Sequence, residues 1–200
     1  SYSTESDYRS LGLALNYAAI FNQKNTTINA GWSHLADLVR DDTLVNWRPK
    51  ASDDYLIGLN QLLTPKSYLT LDFTYGQERG YLSDPYRGVM ALDNFPQSNA
   101  EDGSLIPESR PRFRDKEIIY ASYTRFVDAL NGSFELGYRG YHDSYGILAH
   151  TVEADWNQKL LKNLVLSPAF RYYTQTAATF YYVLVPDFDH LPAYYSADYR

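Results

Sequence analysis

Cysteine is absent from this 200-residue chain, methionine occurs once and histidine four times. Without cysteine, disulfide scaffolds, Cys-ligated zinc and thiol catalysis are excluded. No run of about 18 apolar residues occurs, so a transmembrane helix is excluded as well. Nor is there an excess of basic residues: 18 Lys plus Arg stand against 24 Asp plus Glu, a net charge of −6, which argues against nucleic acid as a partner. Tyrosine is what the chain has in abundance, with 20 beside 9 Phe and 3 Trp, and that favours strands and wet interfaces. A membrane β-barrel stays open, because its alternating strands look soluble in any hydropathy window.

Period-two alternation recurs along the chain. From Leu11 to Phe21 the odd positions carry Leu11, Leu13, Leu15, Tyr17, Ala19 and Phe21, and the even ones Gly12, Ala14, Asn16, Ala18 and Ile20. After a polar turn at 23–26, Ile28, Ala30, Trp32 and Ala36 alternate with Asn29, Gly31, Ser33 and Asp37, which makes a hairpin. Equivalent hairpins follow at 55–76, 118–141 and 148–175, with turns at 64–67, 130–132 and 158–163. The expectation is one all-β domain over 1–200 with eight antiparallel up-and-down strands of about 9 to 11 residues, the length of a tilted membrane strand. The strand-like segment 194–199 would start a ninth.

Turns within hairpins are short, whereas the segments 39–54, 78–116 and 176–193 are long; only 143–146 is tight on that side. That asymmetry belongs to outer-membrane barrels, whose short turns are periplasmic. A soluble sandwich or barrel with uneven loops is the competing fold. An Arg facing lipid near mid-membrane costs about 2 to 4 kcal/mol, and Glu135, Arg139, Glu153, Asp155, Arg171, Tyr173 and Gln175 all fall on the polar faces. They are the expected pore-lining residues, with Arg171 in reach of Glu153 or Asp155. With periplasmic short turns, both ends of this chain would be extracellular. The segment is therefore expected to be an interior piece of a larger barrel of ten or more strands.

Three segments are more specific than alternation: Arg79–Arg87 (RGYLSDPYR), Tyr138–Glu153 (YRGYHDSYGILAHTVE) and Arg171–Tyr181 (RYYTQTAATFY). With the closing run Tyr195–Arg200 (YSADYR), they resemble an uncharacterised family of Gram-negative outer-membrane β-barrel proteins, a domain-of-unknown-function group patterned GYLSDPY, DSWGI-SHT-E, RYY-QSAA-FY and YSADYR. Tyr145 stands for the family's usual Trp, Ala149 and Thr176 for Ser, and Gly140 for Tyr, which would open space on an outward face. The resemblance implies a longer protein in the outer membrane of a Gram-negative bacterium and no defined activity. Taken by themselves, Gly80, Tyr81, Asp84, Pro85 and Tyr86 are turn chemistry, and Asp143, Ser144 and Gly146 a tight hairpin connection, with His150 and Tyr172 beside them on the strands.

Catalysis has little support. His142, Asp143 and Ser144 are adjacent and alternate in facing, so they cannot form a relay, and His150 could approach Ser144 only across the hairpin. Asp187, Asp189 and His190 could hold a divalent cation but fit solvated loop residues better. Asn25-Thr26-Thr27 and Asn131-Gly132-Ser133 match a glycosylation pattern in what would be periplasmic turns. The expected function is a passive pore or substrate-specific channel, not an enzyme, with no cofactor or metal. Its partners would be the lipid bilayer and small polar solutes. A scaffold barrel presenting its outer loops to a protein partner is the alternative, and a membrane hydrolase a minor one.

Overall fold

The computed structural model describes residues 1–40, 46–92, 103–185 and 190–199. Among the described residues, thirteen strands run in the order β1 (Tyr2–Thr4), β2 (Tyr8–Phe21), β3 (Thr26–Val39), β4 (Arg48–Thr64), β5 (Ser67–Gly80), β6 (Gly88–Leu92), β7 (Gly103–Pro107), β8 (Phe113–Val127), β9 (Gly132–Asp143), β10 (Leu148–Leu161), β11 (Leu164–Leu166), β12 (Ala169–Gln175) and β13 (Leu184–Val185). Ten of them form one antiparallel sheet in the order β1-β2-β3-β4-β5-β8-β9-β10-β11, with β12 also paired to β10. The fold is an all-β up-and-down sheet. Among the described residues its path is open, with β1 and β2 at one edge and β11 and β12 at the other.

Each pairing joins residues of the same face, so the alternation seen along single strands becomes continuous rows across the sheet. One row runs Ala19, Ile28, Leu59, Leu71, Ala121, Tyr138, Val152 and Tyr172. Its neighbour on the other face runs Ala18, Asn29, Gly58, Asp72, Tyr120, Arg139, Thr151 and Tyr173. An apolar face and a polar face are thus separated over the whole width. Among the described residues nothing covers the apolar face: Leu15 is 60% exposed, Ile57 58% and Phe170 63%.

The long strands of the sheet exceed the expected length. β2, β3, β5 and β10 have 14 residues, β4 has 17 and β8 has 15. The additions lie at the long-loop end, where residues 48–54, 78–80 and 113–116, expected in loops, continue β4, β5 and β8. Hydrophobic alternation fades there, and ion pairs take over the cross-strand contacts: Lys116 Nζ lies 2.8 Å from Glu78 and 3.8 Å from Asp54. At the opposite end the short turns use left-handed backbone, with φ of +48, +55 and +73° at Asn22, Gln23 and Lys24 and +49° at Asn131. Gln and Lys adopt that region only at a cost of roughly 1–2 kcal/mol each.

The long connections are not structureless. β6, β7 and β13 form a second, three-stranded sheet at the long-loop end. Its core is Val89, Ala91 and Val185 with Tyr195, joined by Ile106 and Tyr182. A second cluster, Tyr145, Ile147, Ala178 and Phe180, packs on Leu82 and on Tyr141 of the polar face. The segment 194–199 does not begin a ninth strand of the main sheet; it makes isolated bridges, Ser109 to Tyr195 and Tyr181 to Ser196. Its partners are in the cap because the cap's own loops supply the free backbone groups.

Candidate functional site

The four motif segments, distant in sequence, converge in the cap at the long-loop end. Glu108 is the hub, its side chain fully buried. It accepts the Asp84 N–H at 2.5 Å, the Ser196 hydroxyl at 2.6 Å and Arg110 Nη2 at 3.0 Å, with Arg110 Nε 2.7 Å away in the ion pair. Arg110 also reaches Asp198 at 3.0 Å, and Asp198 is 2.8 Å from Arg87. Burial works against the Arg110 charge, but Glu108 and then Asp198 outweigh it and raise its pKa above the usual value.

Within this network Asp84 behaves as turn chemistry requires, accepting the Tyr86 N–H at 2.9 Å and Arg87 Nε at 3.0 Å. Gly80 has φ +106°, and a Cβ there would lie 2.3 Å from the Pro49 carbonyl oxygen. The expected role of glycine at this corner is therefore a backbone necessity.

Asp143 anchors the tight turn. It is 1% exposed and accepts the Tyr145 and Ile147 N–H groups, both at 3.0 Å, on one oxygen. The other oxygen takes Arg114 at 2.5 Å and the Tyr141 hydroxyl at 2.7 Å. Gly146 supplies the positive φ of +84°. Tyr145 closes the corner: its hydroxyl donates to the Pro111 carbonyl at 2.8 Å, its ring meets Phe180 edge-on, and Arg114 lies 4.8 Å above it. Burial pushes the Tyr145 phenol up to about 12, against the pull of Arg114 and Arg110.

The residues singled out for a lumen, Glu135, Arg139, Glu153, Asp155, Arg171, Tyr173 and Gln175, all lie on the polar face. Arg171 pairs with Glu153 at 3.3 Å, one of the two partners expected. Arg139 sits 5.7 Å over the Tyr141 ring, and Asp155 faces Glu135 directly across the strands. Gln175 donates to the Tyr199 carbonyl and accepts from Tyr173, so the C-terminal segment reaches the rim of this face.

His150 and Tyr172 are on the apolar face instead. His150 bonds the Tyr138 hydroxyl at 2.8 Å and stacks on its ring. Ser144 Oγ accepts the Asp115 N–H at 3.0 Å, and His142 faces Glu117 at 3.7 Å on the apolar side, while Asp143 is buried toward the other. These engagements tie the three candidate catalytic residues to separate neighbours. The space expected beside Gly140 is filled: an added Cβ would meet Ile119 at 3.0 Å and the Tyr138 hydroxyl at 3.3 Å. Asp187 and Asp189 lie outside the described residues, and among the described ones no group of three potential metal ligands occurs.

Glu108 and Arg110 lie in an irregular, charge-rich segment and Arg114 at the start of β8, where alternation has faded, so the reading by alternation missed all three. Their one signal was an Arg-rich run beside Pro107 and Pro111.

A two-faced antiparallel up-and-down sheet, capped at one end by a small sheet and a buried acid–arginine network, is the class of protein this geometry defines. The chain belongs to a family described as a protein of unknown function, DUF3570, whose model matches residues 41–200 and so includes all four motif segments. No curated protein and no solved structure matches the chain significantly.

Proposed function

We propose that this chain forms wall and mouth of an outer-membrane β-barrel, with the apolar face toward lipid and the polar face lining a water-filled passage for small polar solutes. One observation carries the reading. The apolar rows run unbroken across every long strand and nothing among the described residues covers them, whereas the opposite face bears Asp72, Arg139, Glu153 and Arg171. A soluble sheet would bury such a face. In a bilayer the arrangement satisfies both solvents, and the open edges at β2 and β12 must then be paired by further strands or by each other, because lipid cannot hydrogen-bond them.

No catalytic step enters: solutes would pass by diffusion, sorted by size and by the mixed charges of the polar face. Heat-modifiable gel mobility tests the barrel, and discrete conductance steps in planar bilayers test the passage. A folded, heat-modifiable protein that stays silent in the bilayer would remove the pore and leave the scaffold. The scaffold reading has its own support in the buried network on Glu108, which fixes the long connections against the rim of the polar face and presents them outward.

A further inference from the structure

Several cations at the long-loop end are held by carboxylates, while Arg9 and Arg40 lie over the Trp47 ring. Arg87 has Asp84 and Asp198, Arg110 has Glu108 and Asp198, Arg114 has Asp143, and Lys116 has Glu78. Arg48 and Arg112 have no carboxylate partner among the described residues, yet both line the same two adjoining cavities, each of about 270 Å³, together with Gly80 and Tyr81. Two guanidinium groups thus line cavities whose acid, Glu108, is already engaged by other groups, in a chain whose net charge is −6. We propose that Arg48 and Arg112 form a binding site for an oxyanion of the phosphate class at the mouth of the polar face.

The backbone around them is fixed in advance. Gly80 N–H donates to the Arg112 carbonyl at 2.9 Å, and Tyr81 N–H to the Pro49 carbonyl at 2.9 Å, so the two arginine-bearing segments are tied to one corner. The left-handed φ of Gly80 permits that approach. Arg48 lies 4.9 Å over the Tyr81 ring, which holds its guanidinium plane while leaving its N–H edge to donate. The one acid lining the cavity, Glu108, is fully occupied by Asp84, Arg110 and Ser196 and repels the ligand less than a free carboxylate would. Forked guanidinium donors suit a tetrahedral oxyanion better than a spherical halide. The site stands whether or not the barrel conducts.

The source of the oxyanion is either a free solute or a lipid headgroup, and one experiment separates them. The folded protein in detergent micelles is titrated with inorganic phosphate at low salt, and in a second arm with phosphatidic acid against phosphatidylcholine in mixed micelles. Phenylglyoxal labelling with peptide mass mapping reads the protection of Arg48 and Arg112. Protection of both by inorganic phosphate assigns a solute site; protection by phosphatidic acid alone assigns a headgroup site. Arg48→Gln with Arg112→Gln should weaken binding at least tenfold, Arg48→Lys with Arg112→Lys should restore it in part, and Arg79→Gln on the opposite face should leave it unchanged. Labelling of both arginines that neither anion slows, in the protein without substitutions, overturns the proposal.

Discussion

Asp143 shows how much one side chain carries at the rim. Its two oxygens serve two backbone N–H groups, a guanidinium and a phenol, all while it is out of water. Asp143→Ala leaves the Arg114 charge without its closest acid and two turn amides without an acceptor, a loss of about 3–5 kcal/mol for breaking a buried pair. Asp143→Asn keeps one acceptor for the amides and should cost distinctly less. Urea unfolding of both variants, followed by near-ultraviolet dichroism, checks the order; equal midpoints would remove Asp143 from the fastening. Tyr145 gives the same corner a pH limit. Its phenol titrates at about 12 in the folded protein against about 10 in an unfolded chain, so the folded state holds the proton more tightly. The stabilisation is complete below pH 10 and is lost as pH rises from 10 to 12. Tyr145→Phe, which cannot ionise, should flatten that part of the stability curve relative to the parent.

Strands repeat the logic over longer distances. Ile57 and Asn60 lie three positions apart on β4 and on opposite faces, the first beside Phe73 and the second beside Thr70. If the apolar face meets lipid, Ile57→Lys costs about 2–4 kcal/mol near mid-membrane while Asn60→Lys costs close to nothing. Refolding into lipid vesicles at graded urea measures both, and equal costs would count against a bilayer on the Ile57 side. The hairpins were legible because Leu11 to Phe21 or Leu69 to Gly76 repeat one simple contrast between faces. The outer thirds of β4, β5 and β8 were not, since Arg48–Asp54, Gln77–Gly80 and Phe113–Lys116 are held by long-range pairs such as Lys116 with Glu78, which leave no local period. β6, β7 and β13 were hidden for a related reason: strands of five, five and two residues are too short to show alternation, and their core forms only when 88–92 meets 184–185. In the same way, the motif residues were visible as turn formers, but Glu108 at their centre was visible only as one more charge.

At the scale of the whole molecule, Glu108 fastens the long connections of the cap to one another. It links 84, 110 and 196, segments that approach the rim from three separate connections. Glu108→Ala would leave the Arg110 guanidinium with Asp198 as its remaining acid and the Asp84 amide and Ser196 hydroxyl without their acceptor, at a cost of several kcal/mol confined to the cap. The main sheet, whose pairings do not pass through Glu108, should keep its heat-modifiable mobility. Limited proteolysis should then cut within 81–92, 103–112 and 190–199 in the variant and not in the parent. Glu108→Gln, which retains an acceptor oxygen, should fall between. The same variant distinguishes the two functions: if the cap narrows a passage, Glu108→Ala raises single-channel conductance as the strap loosens, whereas a scaffold whose polar face is closed by its own ion pairs stays silent with the strap cut. A variant that loses the sheet's heat-modifiable mobility along with the cap would instead make the network part of the fold of the sheet itself.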